Sequence, residues 1–178
     1  MDKLQAVSPC AGLLPITIGA LTVEEVDMWP ITSVTPFSGA SGSVLGRALG
    51  MPFPAPLQST TDGDARLVWA GRGEALLMGA VPDANLGAYA AVVDQSDAWA
   101  VVTLTGTGGA DALARLVPVD MRLSAFGVGA SVRSQLGHMN ASITRLDGDT
   151  FMIAVFRSMA GTLVHDLARA LEAVAARG

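Results

Sequence analysis

Apolar and polar positions along this chain follow two rhythms. The clearest signal is AWAVVTL at 98–104, apolar at nearly every position and dense in β-branched residues, which predicts a buried strand. TGTGG at 105–109 then turns the backbone. A short helix follows over 110–117, with Leu113, Leu116 and Val117 on one face. Asp111 suits the positive N-terminus of that helix and stands four residues before Arg115, and Pro118 ends it. Beyond a loop through Gly127 and Gly129, strands are expected at Ser131–Leu136, 141–146 and Thr150–Phe156. The last two are joined by the Asp147-Gly148 turn. A helical period returns at 159–176. Leu163, Leu167, Ala170, Leu171 and Val174 form its apolar stripe, with His165, Asp166, Arg169 and Glu172 opposite.

The first half carries the same order less clearly. A strand at 31–35 is bounded by Pro30 and Pro36, which suits strand ends or an edge. Ser38 can cap a helix running through Val44, Leu45, Ala48 and Leu49 to Gly50 and Pro52. Residues 51–64, with three prolines and a polar tail, read as a loop; strands Ala65–Gly71 and 74–80 follow, joined at Arg72-Gly73. Pro82 and Asp83 start a second helix that reaches about Val93. Before all of this, residues 4–23 carry no charge and read as a mobile arm that becomes an edge strand around 16–21. Each half is thus strand–helix–strand–strand–helix. The expected fold is α+β, with two similar lobes at 1–93 and 94–178, each an antiparallel sheet covered by helices on one side.

Composition adds three constraints. Hydrophobic residues make up 51% and charged residues 15%, more apolar surface than a lone monomer usually shows, which points to a protein partner. The net charge is −5, Lys3 is the only lysine and the arginines are scattered, so nucleic acid is excluded as a partner. The single cysteine, Cys10, rules out an internal disulfide and a thiolate cage for a metal, and fits a reducing, cytoplasmic setting. The apolar stretch CAGLLPITIGAL is interrupted by Pro15 and is shorter than the ~20 residues that cross a bilayer.

Candidate chemistry is sparse. Gly106-Thr107-Gly108-Gly109 between a strand and a helix invites a phosphate, but the third glycine of a dinucleotide fingerprint is replaced by Asp111, whose charge repels one. His138 and His165 lack a second imidazole or thiolate at ligand spacing, and neither Ser41 nor Ser131 sits in a nucleophile elbow. Glu24-Glu25 reads as a solvated turn, and Trp29, Trp69 and Trp99 as core or interface anchors. No catalytic, cofactor-binding or metal-binding residue is expected in this chain.

Four stretches in order carry a resemblance: DQSDAWAVV (94–102), ARLVPVDMRLSAFGVG (114–129), LGHMNASITRL (136–146) and FRSMAGTLVHDL (156–167). They resemble the gamma subunits of heterotetrameric sarcosine oxidases, a family similar in turn to the folate-binding domains of glycine-cleavage T-proteins. In those domains D-x-S, a strand, G-x-x-A, a short helix and a later D-D-L strand form the pattern. Asp94, Ser96, Gly106 and Ala110 or Ala112 echo its first part, and the acidic pair falls on Met139 and Asn140. Asn140 is an amide where a carboxylate would take the proton of the amine. The cysteine signature of stand-alone folate binders is also absent, since Cys10 sits in SPCAG. The resemblance implies a structural subunit of a complex that oxidises sarcosine to glycine. FAD, FMN, NAD, tetrahydrofolate and zinc would be held by the partner subunits, the larger flavin-binding and folate-binding ones among them. The alternative is a stand-alone folate-binding or aminomethyltransferase-like protein. Arg157 and His165 are the candidate interface residues.

Overall fold

The structure, a computed structural model, describes residues 6–27 and 30–177. In chain order the elements are β1 (Ile16–Ile18), β2 (Leu21–Glu25), β3 (Ile31–Pro36), α1 (Gly42–Leu49), β4 (Ser59–Asp62), β5 (Ala65–Gly71), β6 (Glu74–Met78) and β7 (Ala90–Asp94). There follow β8 (Trp99–Thr105), α2 (Gly109–Leu113), β9 (Ser131–Leu136), β10 (Met139–Asp147), β11 (Thr150–Phe156) and α3 (Ala160–Ala175). One antiparallel sheet has the order β1-β2-β8-β11-β10-β9, the other β4-β5-β6-β3-β7.

The two sheets pack face to face. Trp99, Val101, Met152 and Ala154 of the first meet Ile31, Val68, Leu76 and Met78 of the second. Neighbouring side chains on a strand point to opposite faces, so the alternate residues Val102, Leu104, Phe151 and Ile153 lie under Leu163 and Leu167 of α3 and Leu113 of α2. On the far side, Val34, Leu67 and Leu77 lie under Leu45 and Leu49 of α1. The architecture is therefore helix, sheet, sheet, helix. Central strands β8 and β11 are buried on both faces, which is why they read as unbroken apolar runs and not as alternation.

The internal repeat is real in topology. β7-β3-β6-β5-β4 in one sheet matches β2-β8-β11-β10-β9 in the other, position by position. The strand beside β8 comes, however, from the N-terminus, because β2 pairs with β8 from Thr22↔Thr105 to Glu25↔Val102. The halves 1–93 and 94–178 therefore do not coincide with the two sheets.

Four expectations change. The helix expected from Pro82 to about Val93 is a 3₁₀ turn, Ala84–Ala88, followed by β7. Gly87 weakens a helix there, and Ala90 and Val92 bury one face of a strand against the α1 side. The loop at 51–64 contains β4, a polar edge strand without apolar rhythm, turned back onto β5 at Gly63-Asp64 (register Asp62↔Ala65). The single edge strand near 16–21 is a hairpin, β1 and β2, whose inward residues Leu21 and Val23 are buried. The helix at 110–117 is regular only to Leu113 and closes with tighter turns through Val117. Trp29, expected as an anchor, lies outside the described residues.

Candidate functional site

The Asp94–Ser96 motif is a clasp at the exit of one sheet, at the start of the link to the other. Ser96 Oγ and N both donate to Asp94 Oδ1 (2.6 and 2.9 Å), and Ser96 Oγ accepts from Ile31 N at 3.1 Å. The motif sits where the chain leaves β7 for β8, so it ties the exit of one sheet to the first residue of β3. The Ser96 hydroxyl, then its amide, hold the Asp94 carboxyl below the usual carboxylate range. A group held ionised in this way positions backbone; it does not exchange protons near neutral pH.

The glycine turn after β8 is closed by packing. A Cβ on Gly106, whose φ is +122°, would lie 2.0 Å from the Ala20 carbonyl oxygen. On Gly108 it would lie 3.3 Å from Val174, and on Gly109 3.4 Å from the Phe151 ring. These glycines admit the β1–β2 turn, α3 and a core phenyl ring, so the backbone that a phosphate would need is already covered.

Asn140 is exposed on β10, opposite Gln135 of β9. It lines an open concavity of about 370 Å³ with Arg133, Ser134 and Gln135. Arg133 donates to the Ala70 carbonyl at 3.0 Å, and its guanidinium lies 6.0 Å from the Trp99 ring centroid. On the same face, deeper in, Ser142 and Thr144 are buried, and the Thr144 hydroxyl hydrogen-bonds that of Ser131 at 3.0 Å. None of these groups is a carboxylate or an imidazole, so the seam can hydrogen-bond a ligand but has no general base of ordinary strength.

The two interface candidates lie apart. Arg157 is exposed immediately after β11 and donates to the Val7 carbonyl, so one of its bonds is intramolecular. His165 is exposed on α3. Near Arg157 a cavity of about 530 Å³ has Ile31, Trp99 and Val101 on its floor, with the N-terminal arm along one side. Glu25, expected in a solvated turn, ends β2 and accepts from Ser8 Oγ (2.7 Å) and Cys10 N (2.9 Å). The arm that the sequence suggested to be mobile is thus tied down within the described residues. Burial, then the Glu25 charge, push the Cys10 thiol up to about 11, which leaves it unreactive.

Sequence reasoning missed Arg145. It is 1% exposed, donates to the carbonyls of Gly148 and Met121, and places its guanidinium 4.2 Å from the Phe151 ring centroid. Burial pushes its pKa down, with the Asp149 carboxylate opposing. Its Nε has no partner. The available signal was a charge inside a strand, at the same parity as the core residues Ala141 and Ile143. Among the described residues, no group of three or more His, Cys, Asp or Glu is placed to hold a metal.

No family model and no curated protein matches the chain. Solved structures do. A chain of the heterotetrameric sarcosine oxidase from Corynebacterium sp. U-96, solved with pyrrole 2-carboxylate, superimposes with a TM-score of 0.81 and 24% identity, over 96% of each chain. Aminomethyltransferase T of the glycine cleavage system from Bartonella henselae follows at a TM-score of 0.56 and 16% identity, over 85% of this chain and 46% of that one. By its architecture, therefore, this chain has the fold found in a chain of sarcosine oxidase and in part of the glycine-cleavage T-protein.

Proposed function

We propose that this chain is a non-catalytic subunit, of the gamma type, in a heterotetrameric sarcosine oxidase complex. The observation that carries the reading is the end-to-end correspondence, 96% of each chain, with a chain that itself works inside a heterotetramer. A stand-alone enzyme would need its own proton acceptor, and the position expected for one holds the exposed amide of Asn140. In this reading the larger subunits hold FAD, FMN, NAD and tetrahydrofolate, zinc sits on a partner, and this chain braces the assembly. Arg157 and His165 contribute to its contact surface.

Co-expression with the large flavin-binding and folate-binding subunits tests the proposal. A single complex on size exclusion is expected, and a chain that elutes alone beside its assembled partners overturns it. The relation to aminomethyltransferase T supports one other reading, direct folate binding. Calorimetry decides it: micromolar binding of tetrahydrofolate by the isolated chain would favour that second function, and the first reading predicts no heat.

A further inference from the structure

The N-terminal arm is attached to one sheet by side chains at the ends of two of its strands. Residues 6–10 belong to no strand pairing. They are held at two ends instead: Arg157, just after β11, donates to the Val7 carbonyl, and Glu25, at the end of β2, accepts from Ser8 Oγ and Cys10 N. Strands β11 and β2 flank β8 on either side. The arm thus reaches across the end of β8, with a turn at 8–11 in which Ala11 N donates to the Ser8 carbonyl at 3.2 Å. It lines the cavity of about 530 Å³ whose floor includes Trp99 and Val101 of that strand and Ile31 from the facing sheet.

A segment of mostly exposed residues, anchored to the sheet by a few hydrogen bonds and one buried side chain, opens at lower free energy than sheets held by continuous ladders. Ala6, Val7 and Ser8 are exposed, and only Cys10 is fully buried. We propose that residues 6–10 are a strap, latched at Arg157 and Glu25, that opens as a unit while both sheets stay folded and so controls access to the cavity beneath it.

Two natural probes report on the strap, one within it and one in the lining of the cavity. Cys10 is the chain's single cysteine, and the Trp99 indole N–H is buried without a partner. Labelling the full-length chain with an aromatic disulfide reagent at fixed pH measures strap opening. In the wild type the labelling rate should depend on urea much less than global unfolding does. A rate that follows the full urea dependence of unfolding overturns the proposal without any variant.

Arg157→Met, at the end away from the thiol, should speed Cys10 labelling about threefold and Glu25→Gln about tenfold, the range expected for losing a typical, solvent-accessible intramolecular hydrogen bond. The urea midpoint should hold in both. Exchange of the Trp99 indole proton, read by NMR, should accelerate in step. If Cys10 labels faster while the indole exchange stays unchanged, the arm merely frays and the strap does not guard the cavity. Unchanged labelling in both folded variants removes the latch.

Discussion

Replacing Gly106 by alanine is the most demanding test of how the N-terminal hairpin docks beside β8. The backbone there has φ +122°, a region that side chains with a Cβ rarely enter, and holding a non-glycine residue in such a region costs about 1–3 kcal/mol. The new methyl would also lie 2.0 Å from the Ala20 carbonyl oxygen, in the turn between β1 and β2. That turn has no easy retreat: a Cβ on neighbouring Gly19 would already be 3.2 Å from Ala175 Cβ on α3. Overpacking of this kind adds about 1–3 kcal/mol. The sum is about 2–6 kcal/mol, which for a chain of 178 residues is a Tm lower by roughly 5–20 °C. Urea and thermal unfolding followed by far-ultraviolet circular dichroism would measure it. Gly148→Ala is the control, since a Cβ there meets nothing within 4 Å, and it should change stability by no more than about 0.5 kcal/mol. A Gly106→Ala protein within about 1 kcal/mol of wild type would refute the close approach and, with it, the docking of the N-terminal hairpin beside β8.

Other perturbations separate the remaining parts of the argument. Arg145→Ala leaves the Met121 carbonyl without its donor and a cavity over Phe151, so a loss of about 2–5 kcal/mol is expected in urea titrations, with Arg145→Lys recovering only part of it. Trp99→Phe removes a buried donor that has no acceptor and should cost far less than Trp99→Ala, for which about 3–5 kcal/mol is expected. Asp94 and Asp120 have carboxyl groups held below the ordinary value, Asp94 by Ser96 and Asp120, at about 2, by hydrogen bonds from Arg122. A depressed folded pKa stabilises the fold above the unfolded value near ~3.9 and loses that contribution as pH falls through the folded value. The urea midpoint should therefore drop between about pH 4 and 2, and Asp94→Asn or Asp120→Asn should flatten that limb. Arg157→Ala should weaken assembly with the larger subunits while leaving the fold intact, which size exclusion and circular dichroism together would show.

How much of this was legible depended on where each residue's partner lies along the chain. Ser131–Leu136 and Thr150–Phe156 are found at their expected bounds because their own residues carry the apolar and β-branched pattern. β4 was hidden because an edge strand of Ser, Thr and Asp buries little, and β7 because an Ala-rich pair of turns suits helix and strand alike. The Asp94–Ser96 motif was visible as a motif, but its bond to Ile31 spans 65 residues and no local signal announces it. Glu25 looked like half of a solvated acidic pair for the same reason: its partners Ser8 and Cys10 lie 17 and 15 residues away.

The sequence by itself determined the class of structure: an α+β chain with a repeated order of elements and a C-terminal amphipathic helix. Those are properties of neighbouring residues, set by periodicity and side-chain chemistry. Only the tertiary structure decided that the two sheets pack face to face, that the N-terminal hairpin completes the sheet of β8, β11, β10 and β9, and that the glycine turn is filled by Ala20, Val174 and Phe151. Each of these depends on contacts between distant segments, whose loop-closure cost is met only when the whole sandwich forms.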